Sequence, residues 1–233
     1  FGLGSVISKI TSPKEFVGVL LPNSNSTAVT FFALQAFSRV PVMLNFSTGV
    51  ANLISSAKTA DLKTIITSRG FIEKAKMEEV VAKFENQGQK IVYIEDLAAG
   101  TSVYQKTKAL FAGHLSESFY KIRNKKYQDA NLPCVVLFTS GSEGSPKGVV
   151  LSHKNIQANR CQMASKIDFG PKDIVFNALP MFHSFGLTGA TLLPILSGVK
   201  TFFYPSPLHY KVVPELVYST NATMLFGTNT FLN

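Results

Sequence analysis

Short apolar runs and longer amphipathic segments take turns along the early part of the chain, and that alternation predicts strands and helices in succession. Runs at 16–21 (FVGVLL), 40–44 (VPVML), 64–67 (TIIT) and 90–94 (KIVYI) read as strands, and 26–38, 49–59 and 71–86 between them read as helices. Such alternation implies a parallel sheet with helices on its faces, because a parallel connection needs a crossover that carries the chain back to the same edge. A less regular, basic connector covers 97–128. A second set follows, with strands at 134–139, 148–152, 174–178, 201–204 and 223–226 and helices at 154–166 and 212–218. The expected fold is α/β, with layered, mostly parallel sheets and flanking helices. Residues 1–128 are expected to form a first subdomain, and residues 129–233 the start of a second.

The stretch 174–199 carries no Asp, Glu, Lys or Arg and is long enough to cross a bilayer. Pro180, Pro194, Asn177, His183, Ser184 and three glycines interrupt it. It reads instead as a strand, a turn bearing His183, and a buried helix over 185–196 that Pro194 kinks near its end.

Candidate chemistry concentrates at 138–150, FTSGSEGSPKGVV. Gly141, Gly144 and Gly148 give the backbone freedom to turn several amide N–H groups toward an anion. Thr139, Ser140 and Ser142 add hydroxyl donors, and Lys147 adds a point charge that strengthens each phosphate contact to about 1.5–3 kcal/mol. Pro146 fixes the turn before the lysine. A Walker loop would continue with Ser or Thr and open a helix; here Gly148-Val149-Val150-Leu151 follows, so the pattern is strand, loop, strand, with both strands expected to be buried. Composition alone would also allow a solvated Ser/Gly loop.

The run Thr-Ser-Gly-Ser-x-Gly-x-Pro-Lys-Gly resembles the signature loop of the adenylate-forming enzymes, the superfamily of acyl-CoA synthetases, luciferases and peptide-synthetase adenylation domains. A second run, 179–187 (LPMFHSFGL), is similar to that superfamily's Pro-x-Phe-His motif beside the carboxylate pocket. Together with 204–210 (YPSPLHY), these motifs most resemble the bacterial bifunctional enzymes that join an acyl carrier protein synthetase to a 2-acylglycerophosphoethanolamine acyltransferase. The resemblance implies a two-step reaction: a fatty-acid carboxylate attacks the α-phosphorus of ATP, pyrophosphate leaves, and a thiol of acyl carrier protein, or alternatively of coenzyme A, captures the acyl-adenylate. It implies ATP with Mg2+, phosphate contacts from Thr139, Ser140, Gly141, Ser142, Gly144 and Lys147, and catalytic roles for Lys147 and His183. Phe182, His183, Phe185, Gly186, Gly227 and Thr228 would line the acyl site, and no metal ligand is assigned in this chain. Glu143 departs from the superfamily's usual Thr; beside a triphosphate its carboxylate must point outward or toward a cation.

Composition adds a basic balance. Net charge is +9, from 23 basic and 14 acidic residues. Lys106, Lys108, Lys121, Arg123, Lys125 and Lys126 crowd one segment with Glu117 as the lone acid, and Phe111, Leu115, Phe119 and Ile122 recur there at helical spacing. Such a helix suits an anionic membrane surface or an acidic partner such as acyl carrier protein; a core-packed helix with solvated lysines is the plain alternative. Two cysteines, Cys134 and Cys161, indicate no disulfide framework, and no leader is visible, so a cytoplasmic setting is expected, with the cytoplasmic face of the inner membrane reached through parts outside this chain. A basic nucleic-acid-binding module is the alternative from another class, but exposed aromatics do not interleave with the lysines. No Gly-x-Ser-x-Gly elbow or Gly-x-Gly-x-x-Gly fingerprint occurs, which disfavours a serine hydrolase or dinucleotide oxidoreductase. His114, His153 and His209 lack metal-ligand spacing. The chain stops inside what reads as an opening helix, so the expectation is a fragment that lacks the adenine site and the C-terminal catalytic lysine of the family and is inactive alone.

Overall fold

A computed structural model describes residues 1–101, 103–139 and 146–232. The chain forms two compact units, Phe1–Leu21 with Val29–His153, and Pro22–Ala28 with Lys154–Asn233.

The first unit is built on a six-stranded sheet of β1 (Phe16–Val19), β2 (Val40–Met43), β3 (Thr64–Thr67), β4 (Lys90–Tyr93), β5 (Pro133–Thr139) and β6 (Lys147–Ser152), in the order β4-β3-β1-β2-β5-β6. All neighbours are parallel except β5 and β6. The connections are helical: α1 (Gly2–Ile7) precedes β1, α2 (Asn25–Ala36) leads to β2, and α3 (Val50–Thr59) leads to β3. Every residue of β2 and β3 is buried, and Leu20, Val42, Ile65, Leu53, Phe84 and Val136 pack in one core. This is the all-apolar strand pattern of a sheet covered on both faces.

Four local features differ from the sequence expectation. The helix expected over 71–86 is two, α4 (Arg69–Ala75) and α5 (Glu78–Asn86), because Lys76 turns left-handed at φ 53° and its N–H returns to the carbonyls of Ile72 and Glu73. The connector, expected to be less regular apart from a helix carrying Phe111, Leu115, Phe119 and Ile122, is helical over most of its length: α6 (Ile94–Ala99), α7 (Val103–His114) and α8 (Ser116–Arg123). The strand after the glycine-rich loop is not buried; β6 lies at the sheet edge, with Val149 and Val150 39% and 50% exposed. It pairs with β5 within the first unit, which runs to His153.

The guanidinium of Arg39, buried between β2 and the segment after α1, is held by Thr11 Oγ1 at 3.0 Å, the Ser8 carbonyl at 3.2 Å and the carbonyls of Phe37 and Thr11. Four acceptors answer a buried cation that would otherwise be costly.

The second unit carries α9 (His153–Ala164), which begins at the last residue of the first, and a parallel sheet in the order β8-β7-β9. Its strands are β7 (Ile174–Asn177), β8 (Lys200–Phe203) and β9 (Met224–Leu225). The fourth difference lies between β7 and β8. Phe185–Leu192 is a wide, π-helical segment, followed by the short α10 (Leu193–Leu196) with Pro194 in its first turn, where a missing N–H costs nothing. Helix α11 (Val212–Ser219) connects β8 to β9, and α12 (Asn229–Leu232) ends the chain. Among the described residues no helix is long and apolar enough to cross a membrane.

Candidate active site

In the first unit the structure brings Thr139 and Lys147 together as the last antiparallel pair of the β5–β6 hairpin, so they form the two posts of the glycine-rich loop. Six such pairs hold the hairpin, from Pro133–Ser152 to Thr139–Lys147. β5 owes its position to its apolar run: Cys134, Val135, Val136, Leu137 and Phe138 are all buried, and only Thr139 emerges. Burial pushes the Cys134 thiol up to about 12, so it is inert at neutral pH. Gly148 lies in the regular ladder opposite Phe138, and its backbone is not left-handed, so it supplies no special turn. Ser140, Gly141, Ser142, Glu143 and Gly144 lie outside the described residues.

Lys147 is exposed and has no carboxylate partner among the described residues. An ammonium without a counter-charge among the described residues and a neighbouring hydroxyl at the mouth of a hairpin fit an anion. That is the test that a phosphate ligand must pass here, and the two posts pass it.

In the second unit the turn 179–184 leaves the C-terminal end of β7. Met181 and Phe182 are buried, while His183 stands exposed beside the Phe182 ring, with centroids 4.7 Å apart. The backbone of His183 is tied on both sides: its N–H donates to the Pro180 carbonyl at 3.1 Å, and its carbonyl accepts from Leu187 N–H at 2.8 Å. The imidazole has no hydrogen-bond partner among the described residues, unlike a core histidine. Partial desolvation lowers its pKa from the ordinary value of 6.5, which favours the neutral imidazole.

Gly186 is required by packing. An added Cβ would meet the Pro180 carbonyl oxygen at 2.1 Å and its carbon at 2.7 Å. Its missing side chain lets the π-helical segment close on the turn, and Phe185, 41% exposed, is left at the rim.

Gly227 and Thr228 follow β9, the neighbour of β7, so both segments emerge from the same edge of the parallel sheet. The Phe185 and Phe226 rings meet there edge to face at 6.0 Å. Ligand sites of open parallel sheets lie off this edge.

Sequence reasoning missed the clamp beneath the turn. Asn177, fully buried, donates from Nδ2 to Thr191 Oγ1 at 2.9 Å, and its Oδ1 accepts from Leu179 N–H at 3.1 Å. Thr191 Oγ1 in turn donates to the Gly186 carbonyl at 2.8 Å. Asn23 Nδ2 donates to the carbonyls of Asn177 at 2.8 Å and Tyr204 at 3.0 Å. The signal available was Asn177 and Thr191, two uncharged polar residues in a stretch without charged side chains.

The profile of the AMP-binding enzyme family matches residues 5–233. The chain belongs to the AMP-binding enzyme family. It is similar to the acyl-CoA ligase sidI of Beauveria bassiana, 24% identical over 215 residues that cover 91% of this chain and 36% of that protein. It is also similar to the medium-chain-fatty-acid–[acyl-carrier-protein] ligase TtuA of Teredinibacter turnerae, 23% identical over 221 residues covering 85% and 34% of the two chains. This AMP-binding chain thus spans about a third of the length of those relatives. In fold it matches the o-succinylbenzoate CoA synthetase MenE of Bacillus subtilis, solved with an acyl-adenylate intermediate, with a TM-score of 0.76 at 15% identity over 99% of this chain and 53% of that one. The α/β architecture, with mostly parallel sheets and flanking helices, is that of the N-terminal domain of adenylate-forming enzymes.

Proposed function

We propose that this chain is part of an AMP-forming acid–thiol ligase that activates a fatty acid with ATP and Mg2+ and passes the acyl group to the thiol of acyl carrier protein, in the service of lysophospholipid reacylation. The observation that carries the reading is His183, exposed beside the Phe182 ring after β7, with no hydrogen-bond partner for its imidazole among the described residues and its pKa lowered by desolvation. Family membership supplies the reaction class, and the YPSPLHY and LPMFHSFGL motifs supply the choice of carrier protein.

In this reading Thr139, Ser140, Gly141, Ser142, Gly144 and Lys147 hold the phosphates, and Lys147 offsets charge as pyrophosphate departs. ATP supplies the activated phosphorus. His183 donates one N–H toward the attacking carboxylate and fixes its direction, a positioning task for which a neutral imidazole suffices. Phe182 and Phe185 border the acyl entrance, with Gly227 and Thr228 beside it, while Gly186 sets the entrance by letting the helix approach. The second reading, coenzyme A as acceptor, is favoured by the CoA ligases among the relatives.

The test is thermal denaturation of the 233-residue chain with Mg-ATP. At a hundred times Kd, binding adds about 2.7 kcal/mol, or roughly 5–10 °C for a chain of this size. Lys147→Ala removes a charge-assisted contact of about 1.5–3 kcal/mol and with it most of that shift. No shift in the parent chain, or an equal shift in the variant, refutes the phosphate site. Acyl transfer by the complete open reading frame to carrier protein and to coenzyme A decides between the acceptors.

A further inference from the structure

Helix α7 is amphipathic the wrong way round. Its small residues face inward: Ala112 is buried, and Ala109 lies opposite Gly2 of α1, whose added Cβ would touch it at 3.4 Å. Its large apolar residues face out: Leu110 is 67% exposed, Phe111 75% and the following Leu115 67%, and Ile122 of α8 is 79% exposed. A packed surface helix buries such side chains and exposes polar ones. At helical spacing Lys106 and Lys108 fall on the two flanks of this outward sector.

The charge around the sector is mostly positive, with Glu117 the one acid between Lys106 and Lys126. Lys121 pairs with Glu117 at 2.6 Å, but Lys106, Lys108, Arg123, Lys125 and Lys126 have no carboxylate partner among the described residues. Behind α7, Lys9, Lys108 and Arg123 line a cavity of about 410 Å3 walled by Phe1, Phe37 and Phe119, with no acid in its lining. Arg123 is stacked 4.0 Å over the Phe37 ring.

We propose that α7, α8 and the basic turn after them form a docking surface for an anionic lipid bilayer. Solvent-facing large apolar side chains with lysines on their flanks are what a helix lying in a membrane interface needs, its apolar face among the acyl chains and its cations against the headgroup phosphates. The basic cavity behind it can take a single headgroup. An acidic protein partner could meet the same cations, and the experiment below separates the two. This goes beyond the ligase reading and does not depend on it.

Co-sedimentation of the 233-residue chain with vesicles tests the proposal. The chain is expected to pellet with phosphatidylcholine mixed with phosphatidylglycerol and to stay in solution with phosphatidylcholine alone. Lys106→Gln and Lys108→Gln are each expected to weaken partitioning about fivefold, and Phe111→Ser tenfold or more, with melting temperature and circular dichroism unchanged. Equal pelleting with both vesicles, none with the anionic ones, or undiminished binding by the folded variants overturns the proposal. So does retention by an acidic carrier protein without retention by anionic vesicles, which would assign the surface to a protein partner.

Discussion

Replacing Gly186 by alanine tests whether the His183 turn and the π-helical segment are one packed object. The new methyl would lie 2.1 Å from the Pro180 carbonyl oxygen and 3.0 Å from that of Leu179, and both are backbone atoms in a buried turn. Ordinary carbon contacts begin near 3.5 Å, so the helix start must retreat by more than an ångström. Overpacking of this kind costs about 1–3 kcal/mol, and with no flexible side chain to yield we expect the upper end, about 3 kcal/mol. For a chain of this size that lowers the melting temperature by about 6–12 °C. Thermal melts followed by circular dichroism measure it, with Gly148→Ala as the comparison. There, on the exposed edge strand β6, the nearest atom to the new methyl is Phe138 Cε1 of β5 at 3.4 Å, an ordinary contact, so the change stays within about 0.5 kcal/mol. If Gly186→Ala melts with the parent, or the two variants melt alike, the packing account of this glycine is wrong.

Asn177→Ala strips the Leu179 N–H of its acceptor and the Thr191 hydroxyl of its donor, and urea titration should show a loss of about 1–3 kcal/mol that is non-additive with Thr191→Val. Burial lowers the pKa of both His183 and His153, so the unfolded chain binds more protons below the ordinary value of 6.5; stability is full above that pH and declines as pH falls below it, and His183→Gln should flatten part of that decline. Under native conditions a thiol reagent should modify Cys161, which is exposed, and spare Cys134, whose pKa is about 12; rapid labelling of both would contradict the burial of β5.

The parallel core was legible because its strands are continuous apolar runs: TIIT at 64–67 is a strand with those bounds, and FVGV begins one at Phe16. Where a tertiary choice overrode local pattern, the sequence misled. Lys76 breaks a helix without a glycine or proline to announce it, and Val149 and Val150, β-branched as in a buried strand, lie at an edge because β5 already has β2 on its other side. The apolar stripe of the connector was visible, but its outward direction was not, since direction depends on what α1 leaves room for. Of the site, the two motifs were readable from residue types, whereas the Asn177–Thr191–Gly186 clamp joins residues whose proximity only the π-helical turn creates.

The β5–β6 hairpin meets the rest of its sheet through β2, where Val42 and Val136 are the paired residues, yet it is fastened to itself by six pairs. Grip and anchorage are therefore mechanically separable. The spacing of the two posts is set by the ribbon's own rungs, so a disturbance at its attachment would tilt the whole mouth as a rigid piece before it widened the gap between Thr139 and Lys147.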